Sequence, residues 1–292
     1  MNRRPPGTRT ERKSCKRRTG VKLLTAVLSD AGKVRRNNED SCFSDDDLGL
    51  LIVADGMGGH AAGEVASQLA VQIIRDQVVN AFKTGTIPAS DAPLHLSERG
   101  RLLHSAVRLA NDMIWEASQK SPERRGMGTT VVVALANGPR LSVAHVGDSR
   151  LYLMHGNDFR QITQDHSLVA EQVAKGLLTP EQAETSDIQN VLTRALGAKP
   201  DVDVDVSEPA LSSGDLILVC SDGLSRMVKD AAIAGELRRL KEPTEMCHNL
   251  VRLALEQGGR DNVTVAVARA RGGGFWSSVA RVFRRKPAAH AG

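Results

Sequence analysis

Aromatic residues are nearly absent from this chain: Phe, Tyr and Trp together make up 3% of its 292 residues. A core with so few rings must rest on Leu, Val, Ile and Ala. Cysteine is sparse as well. Cys15, Cys42, Cys220 and Cys247 are scattered with no CxxC pair, which argues against a zinc site or disulfide framework and for packed, reduced thiols. No apolar run approaches the ~20 residues needed to span a bilayer. The basic N-terminus has no apolar stretch behind it and does not read as a secretory signal. The expectation is an intracellular, cytoplasmic protein. Acid is scarce only at the ends. Residues 1–20 carry +7 and residues 271–292 carry +5, while the whole chain carries +5, so residues 21–270 stand at −7. An acidic body disfavours specific nucleic-acid binding, although the tails suit any polyanion.

What remains is ordinary for a folded domain, with 41% hydrophobic and 25% charged residues. Residues 1–20 are polar and basic enough to be a disordered tail, and a domain begins at Val21. Leu50 to Ala54 is a short continuous apolar run, the mark of a buried strand. Val65, Leu69, Ile73, Ile74, Val78, Ala81 and Phe82 recur at helical spacing. So do Leu102, Leu103, Ala106, Leu109, Ala110, Met113, Ile114 and Ala117. Thr129–Ala136, Leu141–Val146 and Leu151–Met154 are β-rich runs whose short connections predict antiparallel neighbours. Residues 160–200 are polar and mixed, a helical insertion rather than core. A strand at Leu216–Cys220, helices within 230–257 and a strand at Val263–Ala268 complete a domain over 21–270. The fold class predicted is α+β, with antiparallel strands and helices in layers.

The chemistry lies in where the aspartates fall. Asp55 follows the run Leu50–Ala54 and opens Asp-Gly-Met-Gly-Gly. Asp148 follows Val143–Val146, Asp222 follows Leu216–Cys220, and Asp261 precedes Val263–Ala268. Any one of them reads equally well as a turn residue. Four at the ends of buried strands, three beside glycine, form a pattern. Clustered carboxylates raise one another's pKa unless a cation neutralises them. Oxygen ligands without His/Cys pairing favour Mg²⁺ or Mn²⁺ over Zn²⁺, and two such ions suit in-line displacement at phosphorus. A second cluster, Arg35-Arg36-Asn37-Asn38-Glu39-Asp40, reads either as a solvated charged turn or as an arginine fork for phosphate beside metal-facing acids. Spacing does not choose between these two.

These segments, taken in order, resemble the type 2C, metal-dependent (PPM) serine/threonine protein phosphatases in their compact bacterial form. The matching stretches begin with Ser29–Asp40 and Val53-Ala54-Asp55-Gly56-Met57-Gly58-Gly59-His60, then Gly63–Ser67 and Gly128-Thr129-Thr130. Ala144–Arg150, Thr163–Ser167, Leu192–Gly197, Cys220–Leu224 and Asp261–Thr264 follow. The resemblance implies a sandwich of two antiparallel β-sheets flanked by α-helices, with a flap at about 160–200 beside the active site. It implies that Asp55 bridges two metals and that the Gly56 carbonyl binds one of them, with Glu39 or Asp40 helping directly or through water. Asp222 and Asp261 would hold the other, and Asp148 with Asp222 a third ion in some bacterial members. Arg35 would bind phosphate, leaving Arg36 as its exposed neighbour. The cofactors implied are two or three Mn²⁺ or Mg²⁺ ions. The partners implied are phosphoproteins, among them a cognate Ser/Thr kinase and its targets.

One position departs from the animal branch of that family. The histidine that directly follows the Asp-Gly pair there is Met57 here, so the leaving-group proton must come from elsewhere. His60, close by, is the candidate for a direct catalytic part, whereas His145 and His166 read as structural and Cys220 as a packed thiol. Two other functions stand beside the phosphatase reading: a non-catalytic phosphoprotein-binding module, which loss of a metal aspartate would mark, and a hydrolase of small phosphoesters. Finally, Gly272–Gly274 set off a basic C-terminal segment. At ~100° per residue, Phe275, Trp276, Val279, Ala280, Val282 and Phe283 share one arc and the arginines the other. That segment reads as a tail, a helix docked on its own domain, or a peripheral contact with an anionic membrane surface. The expected assembly is a monomer.

Overall fold

The computed structural model describes residues 21–58, 62–87 and 92–272. Its centre is a pair of antiparallel sheets. One runs in the order β1-β11-β10-β7-β8, from β1 (Lys22–Asp30), β7 (Arg150–His155), β8 (Asp158–Gln161), β10 (Leu216–Cys220) and β11 (Val263–Arg271). The other runs β2-β3-β5-β6-β9, from β2 (Asp40–Asp45), β3 (Leu50–Met57), β5 (Val131–Asn137), β6 (Arg140–Val146) and β9 (Asp205–Ser207). The two-residue β4 (Gly128–Thr129) pairs with the end of β3. Helices α1 (Ala62–Thr84) and α2 (Glu98–Lys120) cover the second sheet, while α5 (Asp222–Ser225), α6 (Asp230–Arg239) and α7 (Pro243–Glu256) cover the first.

This layering explains the continuous apolar runs. Side chains alternate across a strand, and here both faces are covered. From β3, Leu50, Ile52 and Ala54 point to α1 and α2, and Leu51 and Val53 point to the facing sheet. From β10, Leu216, Leu218 and Cys220 pack under the helices, and Ile217 and Val219 enter the inter-sheet layer. That layer also holds Val132, Ala134, Val143, Leu151, Leu153, Ala266 and Ala268, a filling of aliphatic side chains without rings. The buried thiols are inert filling too: burial pushes Cys220 and Cys247 up to about 12.

The helices bury most of the positions that apolar spacing predicts and turn a few outward. In α1 Ile74, Val78 and Ala81 are buried as expected, the first turns bury the small Ala62, Ala66, Ser67 and Ala70, and Val65, Leu69 and Ile73 are only half-buried. In α2 Leu102, Leu103, Ala106, Ala110 and Ile114 are buried together with Val107, and Leu109 and Met113 are left exposed. Ser97 caps α2 by accepting from the Gly100 N–H, the usual satisfaction of a free helix-start donor.

Residues 160–200 are narrower as an insertion than their composition predicts. Thr163, His166 and Ser167 at one end and Ala195 and Leu196 at the other are buried. The ends are pinned by bridges Ser167↔Leu192 and Thr129↔Leu196. Between them lie two short helices, α3 (Leu168–Ala174) and α4 (Pro180–Glu184), and α3 buries nothing. Residues 1–20, His60 and the amphipathic segment from Phe275 lie outside the described residues. Among the described residues no helix is long and apolar enough to cross a membrane.

Candidate active site

The pairing of β2 with β3 sets Asp40 directly opposite Asp55, an arrangement of like charges that is unfavourable by itself. Where β3 runs out, the Gly56 N–H donates to the Glu39 carbonyl at 3.1 Å, and the Asp55 carbonyl accepts from Thr130 N at 2.8 Å. A Cβ on Gly56 would lie 2.2 Å from the Gly63 carbonyl oxygen and 2.5 Å from that of Glu39, so only glycine admits this crossing of β3 with the start of α1. Asp148 sits on the tight turn after β6. Gly147 before it has φ +106°, and a Cβ there would meet Thr130 at 2.6 Å.

From the other sheet, β10 ends at Cys220, Ser221 after it is the N-cap of α5, and Asp222 opens that helix. The Ser221 hydroxyl donates to Asp40 Oδ2 at 2.8 Å and accepts from Thr264 N at 3.0 Å, tying the two sheets together beneath the site. Asn262 does the same at the rim. Its Oδ1 accepts from Glu39 N at 2.8 Å, and its Nδ2 donates to the carbonyls of Ala31 and Asn37. The charged turn is thus held by an asparagine more than 200 residues away. Both arginines are exposed, but Arg35 turns to the cavity, its Nη2 donating to Asp261 Oδ2 at 2.8 Å, and Arg36 does not line it.

The result is one open cavity of about 270 Å³ lined by Arg35, Glu39, Asp55, Gly56, Asp148, Asp222 and Asp261 among others. Asp40 lies beneath it, 8% exposed, with Oδ1 buried and without a hydrogen-bond partner. His60 lies outside the described residues, and the structure therefore brings together every described candidate residue named from sequence. It adds Arg226, Asn190, Thr130 and Asn262 to the walls. Arg226 was legible in principle, four residues after Asp222 on a helix, the spacing at which opposite charges meet.

The electrostatics of the cavity are unbalanced. Burial raises Asp55 well above the usual carboxylate range, and the charges of Asp40, Asp222 and Asp148 add to it. Burial pushes Asp40 and Asp148 up to about 6 and raises Asp222 and Glu39 as well. The hydrogen bond and charge of Asp261 raise Arg35. Burial works against the charge on Arg226, yet Asp222 and Asp148 hold its pKa above the ordinary value. Among the described residues at the cavity, six carboxyls (Glu39, Asp40, Asp55, Asp148, Asp222 and Asp261) face two guanidiniums. Fully ionised, that leaves a surplus of four negative charges, the amount two divalent cations would neutralise. The donors are all oxygens, which suits Mg²⁺ or Mn²⁺, and the unpaired Asp40 oxygen is the mark of a site built for something more than protein. The residues fit such ions.

A separate group, His145, His166 and Asp205, is the one set among the described residues that offers three ligand atoms within 4.8 Å of one another. Its hydrogen bonds do not suit a metal. The Gly147 N–H donates to His166 Nδ1 at 3.1 Å, which places the proton on Nε2, and Nε2 donates to Asp205 Oδ2 at 3.2 Å. A ring nitrogen carrying that proton has no lone pair to give, and the other nitrogen, which would have to take it, faces a donor. Asp205 is matched besides by Arg194 at 2.7 Å. The trio is a clasp behind the Asp148 turn, in keeping with a structural part for both histidines.

Comparison with known proteins gives a concordant picture. The family model described as Protein phosphatase 2C matches residues 32–255. The Mycobacterium tuberculosis serine/threonine protein phosphatase PstP is 40% identical over 251 residues, 86% of this chain. The chain spans only about half of that relative, 46% of its length. The serine/threonine phosphatase stp of Listeria welshimeri is 37% identical over 240 residues, 81% of this chain and 92% of the relative. Among solved structures, the PstP catalytic domain in complex with two manganese ions superposes with a TM-score of 0.74 at 39% identity. It covers 86% of this chain and 99% of that one.

Proposed function

The chain belongs to the protein phosphatase 2C family, and from that premise we propose that it hydrolyses phosphoserine and phosphothreonine in proteins with the help of Mn²⁺ or Mg²⁺. The observation that carries the reading is the surplus of buried, mutually repelling carboxylates at one cavity, with an arginine at its rim. Asp55, at the centre of the cluster, would hold the ions together with the Gly56 carbonyl, Glu39, Asp222 and Asp261. Bound there, the ions supply activation of water and neutralise charge at phosphorus.

The chain's own residues do the rest. Arg35 spends one nitrogen on Asp261 and, half-exposed at the mouth, has further N–H donors to offer a phosphoryl oxygen. Ser221 and Asn262 hold the acids and the Arg35 turn in register. Asp40, too deep to line the cavity, orients Ser221 and adds negative charge from below. Substrates of this kind imply a cognate Ser/Thr kinase, whose phosphorylated targets the enzyme would reset. A cytoplasmic monomer is the form that the reading supposes, with the basic tails as contacts for an anionic surface.

The test uses the full chain stripped of metal by chelation. With Mn²⁺ restored, it should hydrolyse a phosphothreonine peptide faster than a nucleotide or an aryl phosphate. Activity that survives chelation, or a preference for the nucleotide, would remove the reading. Pelleting with anionic vesicles at low salt, compared with a chain ending at Arg271, tests the tail separately.

A further inference from the structure

Arg226 brings a positive charge to the wall of a cavity whose acids would hold cations. Its Nη2 lies 2.7 Å from Asp148 Oδ2 and 3.0 Å from Asp222 Oδ2, so that a single nitrogen bridges the two carboxylates. Those two acids approach each other from different sheets, on turns that the packing at Gly147 and at Gly223 holds in place; a Cβ on Gly223 would lie 1.9 Å from the Asn262 carbonyl. The same guanidinium reaches the insertion: Nη1 donates to Asn190 Oδ1, and Nη2 contacts the Gln189 carbonyl at 3.3 Å. Asn190 and Leu192 themselves form part of the cavity wall. Arg226 therefore joins two things that no other described residue joins, the Asp148–Asp222 pair and the segment after α4.

Resting on the metal-dependent reading above, we propose that Arg226 is a tethered cation that fills the place between Asp148 and Asp222 and must be displaced before an ion binds there. Displacement carries a structural consequence. When the guanidinium leaves the two carboxylates, the segment 186–191 loses its link to the floor of the cavity. Filling of this position and release of the insertion are then one equilibrium, and by linkage whatever holds the insertion down weakens ion binding at that pair. Asp222 also belongs to the set around Asp55 and Asp261, so Arg226 bears on that centre through Asp222 alone. Arg226 acts on the reaction through its neighbours and is a positioning residue.

Mn²⁺ titration of the metal-stripped full chain, read by calorimetry, separates the sites. The wild type should fill its tight class and show a weaker class attributable to Asp148. In Arg226→Gln the weak class should tighten by about tenfold or more, since the charge-assisted contacts that one nitrogen makes to both carboxylates no longer compete with the ion. Arg226→Lys, which keeps the charge, should stay near the wild type, and Asp148→Asn in the Arg226→Gln background should abolish the weak class. Hydrogen exchange of the amides 186–191 in the wild type should accelerate over the Mn²⁺ range that fills the weak class. This readout needs no variant, so it stands even if Arg226→Gln does not fold without metal. An unchanged or weakened weak class in folded Arg226→Gln would overturn the inference, as would a rise in KM alone with the isotherm intact, or exchange indifferent to Mn²⁺. A wild type that binds no Mn²⁺ at all would fell the functional reading itself, and this inference with it.

Discussion

Two clusters of buried polar residues lie on either side of the Asp148 turn, and they answer opposite demands. In the clasp, each ring nitrogen of His166 has a partner, Asp205 is shared between His166 and Arg194, and His145 Nε2 meets the Gln164 carbonyl at 2.9 Å. The His166 hydrogen bond pulls Asp205 down well below the usual carboxylate range against the cost of its burial. In the cavity Asp55, Asp40, Asp148 and Asp222 are raised, and Asp40 keeps an oxygen buried and unpaired. A cluster that satisfies itself stiffens the fold; one that cannot is waiting for a ligand. Composition does not separate the two, since both are rich in potential metal ligands. Hydrogen-bond direction and charge balance do.

The sharpest way to break the comparison is to neutralise the needy cluster. Asp55→Asn and Asp222→Asn should each lower kcat on a phosphothreonine peptide by about three orders of magnitude at matched Mn²⁺. Full activity in either would remove that residue from the metal set. In the clasp, His166→Ala should leave Mn²⁺ affinity unchanged but strand the buried Gly147 N–H and free Asp205, at a cost of about 2 kcal/mol of stability in a denaturant titration. A variant that lost metal before stability would show that the clasp belongs to the centre.

The two clusters should also differ in their response to pH. Asp40 and Asp148 have folded-state values near 6, above those of an unfolded chain, so their folded forms favour the proton. Their contribution to metal-free stability is present below the unfolded value, near 4, and is lost as pH rises through about 6. The rise in Tm on adding Mn²⁺ should therefore be larger at pH 7.5 than at pH 5. A Tm gain that shrinks over that interval would contradict the assignment. Asp205, pulled down, contributes the other way: its share is present above the unfolded value and lost only in stronger acid.

At the rim the effects are smaller. Arg35→Ala should raise KM for a phosphopeptide about tenfold with a lesser change in kcat, because its guanidinium binds phosphate in the ground state too. Arg36→Ala should change neither, and the reverse order would mean that the turn presents the other arginine.

Much of this was legible in order along the chain. Runs such as Leu50–Ala54 and Leu216–Cys220 announce strands because both of their faces are covered, and an aspartate ending such a run can hardly avoid the edge of a sheet. Strands at the sheet margin were harder to see. β2 reads Asp-Ser-Cys-Phe-Ser-Asp, with two apolar residues in six, and is a strand because β3 lends it a register. β1 is mostly half-exposed, and its pairing with β11 over nine residues supplies what its own pattern lacks.

The sequence by itself determined that there would be carboxylates at strand ends, an aliphatic core and basic tails, because each depends on local spacing or on simple sums of charge. Only the tertiary structure decided which groups would face one another. It set Asp40 across from Asp55, turned Arg35 rather than Arg36 to the cavity, and placed Asn262 under a turn that begins at the other end of the chain. It also set Arg226 between two aspartates, one four residues away and the other on the opposite sheet. Hydrogen bonds and ion pairs act over about 3 Å of space, and distance along the chain says nothing of such nearness once the two sheets have closed.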